Sequence, residues 1–355
     1  MKWLCFGAGA IGTYIGGSLA LAGEPVVFLE QPSALDVIRE RGLRLDLRLD
    51  RSRGATQPLA VAPDQLTLSA SLGDALTHGP FDAVIFALKS FDTAAAIETM
   101  RPHSKLLPPV VCFSNGVDNE SALALALGKD LVIAATVTSA IGRLGPGDIV
   151  LERLRGIGLG RQHAISGRLF ASTRSADLHP RMYTDPAAMK WSKMLTNLIA
   201  NPTTAILNMT AAEVLNHPGI YRLEIRMLRE CLAVMRARGL DVVDLPGTPV
   251  RLLALAARLP AWMSRPLLAR VAGSGRGGKM PSFHIDLHAG RGKSEVEFLH
   301  GAVVRAGREL HVPTPVNAFL TDTLTALANG KMALQEYSRQ PEKLLAAYHV
   351  ERTSS

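Results

Sequence analysis

Residues 7–12 read GAGAIG and stand directly behind the apolar stretch WLCF at residues 3–6. A run this rich in glycine makes a poor helix and a poor strand, because glycine loses the most backbone freedom on ordering. A chain that places such a run after a short apolar strand must turn tightly there, or bring its backbone close to something. Gly7, Gly9 and Gly12 form G-x-G-x-x-G, with Ala10 and Ile11 between the last two glycines. Residues 10–22 that follow have helical spacing, so the glycines sit between a strand and a helix, as a dinucleotide fingerprint requires. There Gly7 permits the turn, Gly9 admits a pyrophosphate and Gly12 allows close helix–strand packing. The helix start offers N–H groups to the anion. The next apolar stretch, PVVFLE (25–30), ends in Glu30, 21 residues after Gly9, where a carboxylate reaches an adenosine ribose. Glycines serving packing alone would not account for that acid.

The first half of the chain alternates strand and helix. LDVIRERG (35–42) reads as a short helix closed by Gly42, and DAVIFALK (82–89) and PVVCFSNG (109–116) are continuous apolar runs. Parallel sheets bury such strands on both faces. Helical segments, TAAAIETM and ESALALALG, follow them. The expected fold class is therefore α/β, with an N-terminal Rossmann-type domain over 1–185. LVIAATVTSAIGRLGPGDIVLE (131–152) reads as antiparallel hairpin material around a Gly-Pro-Gly turn. From residue 186 the spacing becomes helical, as in DPAAMKWSKMLTNLIA, YRLEIRMLRECLAVMRARG and SEVEFLHGAVVRAGREL. A mostly helical C-terminal domain is expected over 186–330, and a loose polar tail over 331–355. A length of 355 residues fits two domains.

Net charge is +8, but the arginines are spread along the chain and aromatics make up only 5%. No basic and aromatic platform for nucleic acid is visible, and a basic surface suits small anions equally well. Cys5, Cys112 and Cys231 lie far apart in apolar sequence, so buried reduced thiols and a cytoplasmic setting are expected. The glycine turn leaves no room for a signal-peptide core, and no uncharged apolar run reaches the length of a membrane span. The segment 250–272 is apolar with interspersed arginines. It reads as a helical hairpin packed on the second domain or on a partner subunit, with a membrane-surface role as the alternative. The sequence leaves a homodimer open.

Several polar residues stand out. Lys89 closes VIFALK and Asn115 follows VVCFS, at the strand ends where such sheets bind ligands. A solvated strand end and a simple Asn-Gly turn are the plainer accounts of the two. KWSKMLTNLIANPTTAI places Lys193, Asn197 and Asn201 at i, i+4 and i+8, on one helical face. Pro202 should break the helix there. Unless that face is in solvent, such a polar row in an apolar segment is costly without a purpose. PSFHIDLHAGRGKSEVEF carries Ser282, Asp286 and Glu295. His284 and His288 stand four apart, but a third ligand is missing, so no metal site is expected.

These stretches together resemble the ketopantoate reductase (2-dehydropantoate 2-reductase) family. GAGAIG, ALKS, SNGVDNE, KWSKMLTNLIANPTTAI and PSFHIDLHAGRGKSEVEFLHGAVVRAGRELHVPTPVN fall in the family's order from residue 7 to 317. The resemblance implies a Rossmann domain joined to a helical domain, with the active site in the cleft. It also implies NAD(P)H-dependent reduction of a branched 2-oxo acid such as ketopantoate. The family's catalytic lysine matches Lys193 and its partner glutamate Glu295. Its substrate-contacting asparagines match Asn197 and Asn201, and its serine near the substrate carboxylate matches Ser282. Lys89 and Asn115 match residues at the cofactor–substrate junction. Three departures are visible. Gln31 stands where the family more often has an arginine for the 2′-phosphate of NADPH, so that Glu30 and Gln31 lean toward NADH. Residues 244–279 are longer than in compact members, and GRGK before Ser294 carries one extra residue. A different oxo substrate on the same scaffold, or a non-catalytic dinucleotide sensor, are the competing functions.

Overall fold

WLCF becomes the strand β1 (Trp3–Phe6), and its side chains alternate between two cores. Trp3 and Cys5 join one buried cluster with Tyr14, Ile15 and Phe28, while Leu4 joins another with Val27, Val84 and Phe86. Successive strand side chains point to opposite faces, so a strand apolar throughout is one covered on both. The protein, a computed structural model, is described over residues 1–265, 268, 280–290 and 292–354. The chain divides into two units, Met1–Lys190 with Leu245–Thr248, and Trp191–Asp244 with Pro249–Ser355.

In the first unit, β1 pairs in parallel with β2 (Val26–Leu29) on one side and β6 (Ala83–Phe86) on the other. The sheet extends through β5 (Thr67–Ser69) beyond β2, and through β7 (Val110–Cys112) and β8 (Val132–Val137) beyond β6. The order β5-β2-β1-β6-β7-β8 is the doubly wound dinucleotide-binding order, with its reversal between β1 and β6. Two further strands, β11 (Ile157–Gly160) antiparallel to β8 and β12 (Pro180–Tyr183), complete eight. The helices of this unit are α1 (Ala10–Leu21), α2 (Pro32–Arg41), α3 (Leu72–Thr77), α4 (Thr93–Met100), α5 (Asn119–Leu127) and α6 (Ser166–Ser175).

A second sheet, β4 (Leu59–Val61), β3 (Leu43–Asp46), β10 (Asp148–Arg153) and β9 (Ala140–Gly145), in that order, was not foreseen. It corrects the expected hairpin over 131–152. β9 and β10 do pair antiparallel around Gly145-Pro146-Gly147, but β8 belongs to the main sheet, parallel to β7. Strand β8 is buried at Ile133 and over 135–137 and is drawn into the covered sheet. Strand β9 exposes Arg143 and Leu144, as suits a sheet with one open face.

Helix α7 (Pro186–Leu198) carries the chain to the second unit. There α8 (Pro202–Leu207), α9 (Ala211–Asn216), α10 (Pro218–Ala237), α11 (Val250–Arg258), α12 (Ser282–His288), α13 (Val296–Glu309), α14 (Pro315–Ala328) and α15 (Pro341–Ser354) follow. Helix α10 is central and packs against α9, α11, α13, α14 and α15. The expected loose tail is wrong: Leu344 and Tyr348 of α15 are buried, and Tyr348 packs on Phe319 of α14. The apolar spacing inside the polar composition outweighs it. The expected hairpin over 250–272 is seen only as far as α11 and residues 261–265 and 268, since 266–267 and 269–279 lie outside the described residues.

The core of this unit holds a titratable pair. Asn317 Nδ2 donates to Met227 O (3.1 Å) and Glu230 Oε2 (2.7 Å), so its Oδ1 is the acceptor facing His300 Nδ1 at 3.0 Å. His300 is fully buried, and burial pushes its pKa down to about 3. The folded chain thus keeps this imidazole neutral while the unfolded chain protonates near pH 6.5, so stability falls as pH drops below that value. Burial shifts Glu230 upward, with the opposite sign for stability. The difference between wild type and His300→Gln isolates the histidine. Between pH 7 and pH 5, wild type should lose about 2 kcal/mol more than the variant. Urea melts at the two pH values measure this, and equal losses would contradict it.

Candidate active site

The glycine loop has the geometry its sequence requires. Gly7 adopts φ +96°, and a Cβ on it would meet Leu88 Cδ2 at 2.5 Å. A Cβ on Gly12 would lie 1.8 Å from the carbonyl oxygen of Gly7, so β1 and α1 approach as closely as backbones allow. Gly9 is different: φ is −70° and a Cβ there would meet nothing within 4 Å. The space beside Gly9 fits the approach of a pyrophosphate. No side chain caps the start of α1 and no acid stands in its first turn, which leaves that end favourable to an anion. Cys5 lies beneath this loop, and burial, then the Glu30 carboxylate, pushes its thiol up, so no thiolate competes there.

Glu30 reaches the same loop. Its Oε2 accepts from Ala8 N–H at 2.7 Å and its Oε1 from Gln31 N–H at 2.8 Å. The carboxylate is thus held where the ribose of a nucleotide would lie. Gln31 is exposed at the start of α2. Of the nearby Arg39, Arg41 and Arg44, Arg39 pairs with Asp36 at 2.9 Å and Arg44 with Asp148 at 3.1 Å.

At the other side of the strand-order reversal, the loops after β6 and β7 are stitched together. Ser114 Oγ donates to Leu88 O (2.8 Å), and Ser90 Oγ to Asn115 O (2.8 Å). Asn119 Nδ2 donates to Asn115 O (2.6 Å) and Ser90 Oγ (3.2 Å), and Thr93 Oγ1 donates to Asn119 Oδ1 (2.8 Å). Lys89, partly exposed, and Asn115, exposed, are carried on these two loops. Beneath them Lys190, 5% exposed, donates from Nζ to Ser114 O at 2.6 Å. Glu120 Oε1 stands 2.7 Å from the same ammonium as a charge contact without hydrogen-bond geometry. Breaking such a buried pair costs about 3–5 kcal/mol, because one charge is left alone.

The second unit carries the other candidates. Lys193 and Asn197, both partly exposed, lie on α7, which ends at Leu198. Asn201 falls beyond that end, at the start of α8, so the one-face row extends only to Asn197 as regular helix. Asn201 is 5% exposed, and its amide is used by the backbone. Oδ1 accepts from Phe283 N–H at 3.2 Å, and Nδ2 donates to Asn197 O at 3.0 Å. This joins the α7–α8 break to the first turn of α12, where Ser282 is exposed. Glu295 is 2% exposed at the start of α13. In GRGK, Gly290 and Gly292 take positive φ, and Arg291 lies outside the described residues. The rings of His284 and His288 stack with centroids 4.2 Å apart, and their Nε2 atoms face Asn208 Oδ1 and Ala205 O. Among the described residues no group of three or more acidic, histidine or cysteine side chains is placed to hold a metal.

Sequence reasoning missed Ser90, Ser114, Asn119, Glu120, Lys190, Thr203 and Glu224. Several lie inside the quoted stretches ALKS, SNGVDNE and KWSK. Their polar character was visible, but their partners stand up to 76 residues away, as for Lys190 and Ser114.

A Rossmann sheet with an open glycine loop, followed by a helical unit, fits the class of NAD(P)H-dependent oxidoreductases. The family described as ketopantoate reductase PanE/ApbA matches residues 3–162, and its C-terminal counterpart matches 185–328. The 2-dehydropantoate 2-reductase of Halobacterium salinarum is 28% identical over 332 residues, spanning 91% of this chain and 97% of the relative. That of Archaeoglobus fulgidus is 25% identical over 334 residues, spanning 91% and 97%. The crystal structure of a PanE/ApbA family ketopantoate reductase from Ralstonia eutropha JMP134 superposes with a TM-score of 0.76 at 26% identity, covering 93% of this chain and 99% of that one. D-mandelate dehydrogenase with NADH and anilino(oxo)acetate shares the fold at 17% identity, with a TM-score of 0.73 and coverage of 93% and 99%. The chain belongs to the ketopantoate reductase family. Among its described residues no helix is long and apolar enough to cross a membrane.

The glycines make a paired test. Gly12→Ala should destabilise the apoprotein by on the order of 3 kcal/mol or prevent folding, since backbone cannot yield as a side-chain tip can. Gly9→Ala should leave apoprotein stability within about 1 kcal/mol and weaken NAD(P)H binding at least about tenfold. Thermal melts and nucleotide titrations check both. Normal nucleotide affinity in Gly9→Ala would remove the pyrophosphate from this loop.

Proposed function

We propose that this protein reduces a 2-oxo acid, ketopantoate or a related branched one, with NAD(P)H. The observation that carries the proposal is the hydrogen bond from Phe283 N–H to Asn201, which joins KWSKMLTNLIANP to PSFHID. It ties the helix bearing Lys193 and Asn197 to the turn bearing Ser282. When bound, the dihydronicotinamide supplies hydride to the keto carbon. Gly7, Gly9, Ala10, Ile11 and Gly12 cradle the cofactor's phosphates, and Lys89 and Asn115 border its reactive end. Negative charge grows on the substrate carbonyl oxygen as the hydride arrives. The Lys193 ammonium stabilises that charge and gives the oxygen a proton, which solvent then restores. Glu295 orients the ammonium and accepts a hydrogen bond from a substrate hydroxyl. Asn197 and Ser282 fix the carboxylate with neutral donors, and Asn201 holds the two segments that carry them. Three buried, unpaired cysteines support a reducing, cytoplasmic setting.

A panel of 2-oxo acids with each cofactor tests the activity directly, and absence of any turnover would refute it. Lys193→Ala should lower kcat about a hundredfold or more while the NAD(P)H dissociation constant stays within about twofold. A near-normal kcat would take the proton-donor role away from Lys193.

The cofactor proposal goes further. Glu30 would repel a 2′-phosphate and Gln31 offers no compensating charge; of the arginines that could supply one, Arg39 and Arg44 pair with Asp36 and Asp148, which leaves Arg41. We expect NADH to be used at least as well as NADPH. Glu30→Ala/Gln31→Arg should shift the kcat/KM ratio toward NADPH by about tenfold, equivalent to about 1.4 kcal/mol. A wild-type preference for NADPH of about tenfold or more would contradict this, as the acid should repel the 2′-phosphate by about that factor.

A further inference from the structure

The break between α7 and α8 is held from an unexpected direction. Glu224 lies on the apolar face of α10, among Ile220, Tyr221, Met227 and Leu228, and is 0% exposed. A carboxylate there is costly unless it is hydrogen-bonded. Its Oε2 accepts from Ala200 N–H at 2.7 Å and its Oε1 from Thr203 Oγ1 at 2.6 Å. Both distances are those of charge-assisted bonds.

The residue it grips is strained. Ala200 has φ +53°, the left-handed region, where its Cβ crowds the following carbonyl. Pro202 alone explains why α7 cannot continue, but not why an alanine adopts this conformation. The Glu224 carboxylate supplies the reason, since it bonds the amide on one side of the turn and the threonine hydroxyl on the other. What the turn fixes is functional. Asn197 stands three residues before Ala200, and Asn201 directly follows it. Asn201 in turn holds the backbone of Phe283, next to Ser282.

We propose that Glu224 is a positioning residue for substrate. Its buried carboxylate locks the left-handed turn at Ala200, and through it the two asparagines and the turn carrying Ser282. In this role Glu224 acts through the turn and not on the substrate or cofactor itself. The inference rests on the oxo-acid reductase activity for its consequence, but not for the clamp itself.

The test compares Glu224→Gln, Thr203→Val and Glu224→Gln/Ala200→Gly with wild type. Glu224→Gln should raise KM for the oxo acid at least tenfold, with KM for NAD(P)H within twofold. Glycine adopts the left-handed turn without strain, so Ala200→Gly in that background should recover threefold or more of the lost kcat/KM. Thr203→Val removes one arm of the clamp and should raise the oxo-acid KM by a smaller factor, about threefold. It decides the question if Glu224→Gln does not fold. Amide hydrogen exchange, without substrate, should quicken about tenfold at Ala200 and Phe283 in Glu224→Gln. Unchanged exchange in a folded variant overturns the clamp whatever the enzyme reduces. Faster exchange with unchanged oxo-acid KM, or a parallel rise in cofactor KM, overturns the positioning role. Wild type failing to reduce any 2-oxo acid would instead strike the proposed activity, while the exchange result still judged the clamp.

Discussion

The first unit depends on one close approach. The carbonyl oxygen of Gly7 occupies the space where any side chain on Gly12 would begin. That contact sets α1 against β1, and β1 lies between β2 and β6 in the sheet. It places the open flank of Gly9 and the uncapped start of α1 at the end of β1, beside the strand-order reversal. A larger residue at Gly12 would move the helix off the strand, and one at Gly7 would drive into Leu88. The adjacent strands are short, four residues each in β1, β2 and β6, yet they carry a large sheet because every residue in them packs on one of two cores.

Polar groups buried in each unit serve position more than stability. The Lys190–Glu120 pair lies under the loops that carry Lys89 and Asn115, Glu224 lies behind the turn that carries Asn201, and Glu230 with Asn317 and His300 secures the start of α14. Each could be replaced by apolar packing without loss of hydrophobic burial. What they add is direction: a carboxylate or ammonium bonded to backbone amides and carbonyls admits one arrangement of the chain, where packing admits several. Loops beside a reacting centre need that uniqueness, because misplacement of about 1 Å is costly in rate.

Much of the fold was legible. The glycine spacing, the acid at the end of the second strand and the apolar strands gave the Rossmann half, since each reports a local backbone requirement or a two-faced core. Helical spacing gave the second half. The four-stranded side sheet was missed because its strands are three to six residues long and come from parts of the chain some hundred residues apart, as Arg44 and Asp148 do. The tail was misjudged because composition concealed the few apolar positions, Leu344 and Tyr348 among them, that seat it. Of the candidate site, spacing marked Lys193, Asn197 and Asn201 as a polar row in an apolar segment, while Ser282 and Glu295 took their proposed roles only from the family resemblance.

The sequence by itself determined where the backbone must turn and which strands are covered on both faces, because glycine, proline and apolar periodicity act over a few residues. It also marked Asn-Pro as the end of a helix. Only the tertiary structure decided what each polar side chain does there. Asn201 was readable as a substrate contact, but its amide oxygen is engaged by the backbone of Phe283, 82 residues away. Glu224 gave no signal beyond its place in a segment of helical spacing, yet it is wholly buried and bonded to Ala200. A hydrogen bond of this kind depends on the meeting of chain segments distant in sequence, and no local pattern encodes its partner.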